Sequence, residues 1–108
     1  MTEPAAKLEG LVEALKAYQP QRIYLFGSWA RGEQDDLSDL DVVIIKETSL
    51  PFLERLLEAA RLLPAGIGGV DLLVYTPAEF EAMRQNGNAF AEMIAEEGKI
   101  IYERQTAG

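Results

Sequence analysis

Apolar positions recur along this chain in two rhythms. Within residues 4–18, Leu8, Leu11, Val12 and Leu15 fall at helical spacing behind Pro4, which predicts an amphipathic first helix that Pro20 ends. The run Arg22-Ile23-Tyr24-Leu25-Phe26 is β-branched and aromatic and leads into Gly27. It reads as a strand delivering the chain to a tight turn, with Ser28 placed to cap a short helix. Residues 33–38 are polar and turn-prone, and from Leu40 to Ile45 the sequence is almost continuously apolar, the pattern of a central strand covered on both faces.

Helix and strand patterns go on alternating in the second half. Pro51 opens a helical pattern reaching residue 63, in which Phe52, Leu53, Leu56, Leu57, Ala60 and Leu63 form one broad stripe ahead of Pro64. Val70 to Tyr75 predicts a third strand. In Thr76-Pro77-Ala78-Glu79, Thr76 is suited to cap a helix, Pro77 to its first position and Glu79 to completing a capping box. Asn86-Gly87-Asn88 breaks that helix, a further one runs to about Glu97, Gly98 ends it, and Lys99 to Glu103 predicts a last strand. Phe90, Met93 and Ile94 are expected to close the core, Glu92, Glu96 and Glu97 to form a solvated face, and residues 105–108 to fray. Such alternation with short connections implies an α/β fold, a small mixed β-sheet flanked by helices. With 108 residues and 48% hydrophobic content, the expectation is one domain spanning residues 1–108.

Charge and missing residue types narrow the chemistry. Eighteen Asp and Glu against 10 Lys and Arg leave a net charge of -8, which works against independent binding to a long nucleic acid. Neither Cys nor His occurs, which excludes disulfides, thiolate nucleophiles, the usual zinc sites and histidine acid–base catalysis. Any reaction falls to carboxylates, hydroxyls, Lys, Arg or a bound metal. The N-terminus has no long apolar run behind it, so neither a signal peptide nor a membrane span is indicated and the expected location is the cytoplasm.

Residues suited to such chemistry lie close together in the pattern. Gly27 lets backbone and phosphate oxygens approach closely, Ser28 adds a hydroxyl, and amides at a helix start favour a triphosphate. Asp39 and Asp41 stand two residues apart at the start of a strand, so both side chains emerge on one face, separated by roughly 6.6 Å of rise. Asp71, on a neighbouring strand, would complete a ligand set for two divalent ions about 3.5–4 Å apart. Hard oxygen donors favour magnesium or manganese, held jointly with substrate phosphates. Asp71 also lies in an otherwise apolar run, where an unpaired buried carboxylate would need a partner such as a metal. Arg31 either contacts phosphate or pairs with the acidic residues at 33–36, and Trp29 either stacks on a base or, as large aromatics more often do, packs.

The segment Gly27-Ser28-Trp29-Ala30-Arg31-Gly32 followed by Ser38-Asp39-Leu40-Asp41 closely resembles the signature of DNA polymerase beta-like nucleotidyltransferases, in particular their minimal nucleotidyltransferase group, with Asp71 standing where that family places its third carboxylate. The resemblance extends over nearly the whole chain, including the ending Glu97-Gly98-Lys99-Ile100-Ile101-Tyr102. It implies transfer of a nucleoside monophosphate, often AMP from ATP, to an acceptor hydroxyl with release of pyrophosphate. Many minimal members resemble antitoxins acting beside an all-helical HEPN-domain partner, and for this chain a homo- or hetero-oligomer stays open. Carried onto this chain, the resemblance implies catalytic and metal-binding roles for Asp39, Asp41 and Asp71, triphosphate binding by Gly27 and Ser28, and a basic position at Arg31. Two other readings stay open: a module that neutralises its partner by occlusion with nucleotide binding vestigial or regulatory, and a small-molecule modifier of the aminoglycoside-modifying type. Chain length disfavours the second, since an acceptor pocket needs additional residues.

Overall fold

The computed structural model describes residues 4–34 and 39–104. Ser38, the rest of the polar loop at 35–38 and the tail at 105–108 lie outside the described residues. Helix α1 (Pro4–Lys16) is followed by strand β1 (Arg22–Phe26), helix α2 (Ser28–Arg31) and strand β2 (Leu40–Ile45). Helix α3 (Phe52–Ala60), strand β3 (Val70–Tyr75), helices α4 (Pro77–Gln85) and α5 (Ala89–Glu97) and strand β4 (Lys99–Glu103) complete the order. The strands form one mixed sheet in the order β3-β2-β1-β4, with β2 parallel to β3 and antiparallel to β1, and β4 antiparallel to β1. A parallel β2–β3 pair needs a crossover, which α3 supplies.

Side chains alternate across the sheet and divide the core in two. Leu40, Val42 and Ile44 face a cluster with Leu11, Leu15, Ile23, Leu25 and Trp29, while Val43 and Ile45 face another with Tyr24, Phe80, Ala91 and Ile94. The reading of residues 40–45 as a strand covered on both faces holds, and Trp29 packs in the core at 8% exposure. Ile94 is fully buried, with Phe90 and Met93 packed at the margin of the second cluster. Glu92, Glu96 and Glu97 are exposed.

Three local departures from the sequence pattern have physical causes. Helix α1 stops at Lys16 rather than continuing to residue 18, because Gln19 takes a left-handed φ of 59° ahead of Pro20, whose ring disfavours helical backbone before it. Gly27, not Ser28, occupies the cap of α2: its carbonyl accepts from the Ala30 and Arg31 amides at 3.1 and 3.2 Å, so Ser28 is already helical. Helix α3 ends at Ala60 rather than near 63, since Leu62 and Leu63 donate to Ala59 and Ala60 in tightened i→i−3 turns.

Helix α3 divides its apolar stripe: Leu56 and, just beyond the helix, Leu63 pack on the first core cluster as expected. A stripe of this width ordinarily faces the core, yet Phe52, Leu53 and Leu57 are 39%, 67% and 50% exposed while Arg55 is buried. By contrast, the capping box on α4 forms as its sequence reads: the Glu79 amide donates to Thr76 Oγ1 at 3.1 Å and the Thr76 amide to Glu79 Oε1 at 2.8 Å. Asn88 caps α5 by its side chain alone, accepting from the Ala91 amide at 3.0 Å.

Candidate functional site

Strand register builds the site. Phe26 pairs with Asp41 across β1 and β2, and Asp41 pairs with Asp71 across β2 and β3, so the turn at Gly27 and the two carboxylates meet at one end of the sheet. Parallel pairing puts Asp41 and Asp71 on the same face, the one shared by Val43 and Leu73. Gly27 has φ 75° and ψ −153°, backbone open almost only to glycine. An added Cβ there would also run into the Asp41 carboxylate, with the Asp41 Cγ only 3.3 Å away. Glycine is therefore required twice, by conformation and by the approach of Asp41.

Three like charges stand near one another here. Burial above all, then the hydrogen bond and charge of Asp71 and the charge of Asp39, push the Asp41 carboxyl above its ordinary value, and Arg31 opposes the shift. Like charges on neighbouring strands destabilise a sheet, so their gathering here does not serve stability and makes this end of the sheet the candidate site. The set is looser than the sequence reading expects. Among the described residues, no three Asp, Glu, His or Cys side chains converge closely enough to hold a metal ion. Asp41 and Asp71 come together, whereas the exposed Asp39 carboxylate lies across from Gly69, in the space that a side chain at that position would fill.

The family profile described as polymerase beta, nucleotidyltransferase, matches residues 9–107. The chain belongs to this family. No curated protein matches it. Among solved structures, a toxin–antitoxin with AMP-PNP is 25% identical, with a TM-score of 0.66, over 91% of this chain and 74% of that one. The toxin–antitoxin MntA–HpeT, in a mutant form, is 25% identical with a TM-score of 0.62 over 90% and 72%. A protein from Sulfolobus solfataricus described as a candidate nucleotidyltransferase shares the fold, with a TM-score of 0.56, 20% identity and coverage of 96% and 93%.

Within this nucleotidyltransferase fold, several expectations about single residues change. Asp71 is exposed on an edge strand, so the burial that would have obliged it to find a partner does not arise. Arg31 is exposed and pairs with Glu33, Nε to Oε1 3.3 Å, while staying within electrostatic reach of Asp41. Two residues near the site were not singled out by the sequence. Gly69 gives Asp39 its room, since an added Cβ would lie 2.6 Å from the Asp39 Cγ. Lys7 reaches in from α1, its ammonium 5.5 Å from the Trp29 ring centroid and beside Gly68, whose φ is 91°. A glycine run before a strand was a visible signal for the first; a lysine in an amphipathic helix carries none for the second. No helix among the described residues is long and apolar enough to cross a membrane.

Proposed function

We propose that this chain, as one nucleotidyltransferase domain over residues 1–108, transfers AMP from ATP to a hydroxyl on a HEPN-type partner protein, acting as the antitoxin of a two-gene system in the cytoplasm. The carrying observation is the meeting of Gly27, Asp41 and Asp71 at the junction of β1, β2 and β3. The toxin–antitoxin relatives, one of them with AMP-PNP, support the partner and the donor.

A pair of carboxylates that repel each other, with a third within Coulomb range, fits a divalent cation, because hard oxygen donors suit magnesium or manganese and a dication would relieve the repulsion. Asp39, Asp41 and Asp71 are the residues that would hold it. Two such ions, when bound, neutralise charge on the phosphates and polarise the acceptor hydroxyl. The rest of the work is positioning. Gly27 and Ser28 bring the turn against the triphosphate, and the exposed Arg31, whose pair with Glu33 is a weak surface contact, supplies a cation beside it. The acceptor oxygen bonds to the α-phosphorus, the α–β phosphoanhydride bond breaks, pyrophosphate leaves, and the exposed Asp71 carboxylate takes the hydroxyl proton.

Labelled ATP and magnesium, incubated with the protein alone and with the product of the adjacent reading frame, test this by mass spectrometry. An AMP adduct on a partner hydroxyl, absent with chelator, is the expected result. An unmodified partner that is nonetheless neutralised points to occlusion, and rapid modification of a free aminoglycoside by the lone protein points to a small-molecule enzyme; either would overturn the reading.

A further inference from the structure

Helix α3 packs Leu56 and Ala59 on the core, yet it leaves part of its apolar stripe exposed and buries a charge. Leu53, Leu57 and Ala60 lie at i, i+4 and i+7 and are all exposed, with Phe52 at 39% beside them, so they form one apolar seam along the helix. Single exposed apolar residues are ordinary; a continuous seam marks an interaction surface. Its direction is enforced. Arg55, 6% exposed on the opposite side, donates to Leu50 O at 2.8 Å, Val74 O at 3.3 Å and the Glu79 carboxylate at 2.7 and 3.2 Å. Rolling the leucines inward would break these bonds and leave a buried guanidinium unpaired.

Charge decides what covers the seam. Glu54 and Glu58 run exposed along its flank, Arg61 stands at its C-terminal end, and the whole chain carries -8. A second copy would set one acidic surface against another, so a like partner is disfavoured. We propose that the α3 seam docks an amphipathic helix of a partner protein, with an apolar stripe flanked by Lys or Arg. This rests on the reading that the chain acts on a partner protein, and it says which surface holds that partner: α3 packs against β3, the strand that carries Asp71.

Two synthetic helical peptides with the same leucine stripe, one flanked by lysines and one by glutamates, test the seam by fluorescence anisotropy. The lysine peptide should bind at least about tenfold more tightly than the glutamate peptide. Leu53→Ser with Leu57→Ser should weaken it at least about tenfold, whereas Ile100→Ser, which removes an apolar side chain 52% exposed on β4, should leave it unchanged. Glu54→Lys with Glu58→Lys keeps the seam and should reverse the preference between peptides. Equal binding of both peptides, an unreversed preference in the lysine variant, or a concentration-dependent dimer of the protein abolished by the serine pair would each overturn the proposal. Failure of AMP transfer with peptide binding intact would instead count against the transfer reading alone.

Discussion

Arg55 and Glu79 are joined by two hydrogen bonds, Nη1 to Oε1 at 2.7 Å and Nη2 to Oε2 at 3.2 Å, and the same Oε1 accepts the Thr76 amide at 2.8 Å. One carboxylate thus caps α4 and neutralises the charge that α3 buries. Removing it by Glu79→Ala should destabilise the protein by about 2 kcal/mol, the range for hydrogen bonds to a charged group. The loss stays below that of a fully buried pair because the Glu79 side chain is 45% exposed. Urea unfolding of the variant checks the value, and an unchanged midpoint would remove Arg55 as the element that orients α3.

The same pair predicts an acid response. Arg55 first, then the Thr76 amide, hold the Glu79 carboxyl below its usual 4.5. Between the two states the folded protein binds fewer protons, so this contribution is fully present above 4.5 and is lost as pH falls through the lower folded value. Unfolding midpoints followed from neutral pH downward should fall in that window for the natural chain. In Glu79→Gln they should begin lower and decline less steeply.

Glycine at 27 should tolerate no side chain. Gly27→Ala places a Cβ against the Asp41 carboxylate at a φ of 75°, which predicts a loss of about 1–3 kcal/mol and of nucleotide binding together. Gly32→Ala, also at positive φ but with open space around it, should lose stability and keep binding. Thermal melts paired with calorimetry separate the two; equal ATP affinity in both variants would deny Gly27 its role at the phosphates.

Stability and chemistry should part at Asp41. Asp41→Asn keeps the side chain's shape and removes the charge facing Asp71, so the melting temperature should hold or rise, by up to about 1 kcal/mol in stability. Transfer of the nucleotidyl group should disappear, and with it any dependence of ATP binding on magnesium. A variant that still transfers at the natural rate, or one whose circular dichroism shows an unfolded chain, would contradict the assignment.

Much of this protein was legible in its residues because short-range rules wrote it. Strands at Arg22–Phe26, Leu40–Ile45 and Val70–Tyr75, and the capping box at Thr76 and Glu79, depend on neighbours within a few positions, and they appear where the pattern puts them. The motif from Gly27 to Asp41 was likewise a matter of spacing along the chain. What tertiary structure alone decided involves residues far apart. The placing of Asp41 against Asp71 comes from parallel register across a crossover of more than twenty residues, and the exposure of Asp71 from its strand standing at the sheet's edge. The same holds for the rotation of α3. Its pattern does not say which part of the stripe, Leu56 or Leu53 with Leu57, turns inward, and the choice was made by Arg55 finding Val74 and Glu79, acceptors that no local pattern could announce.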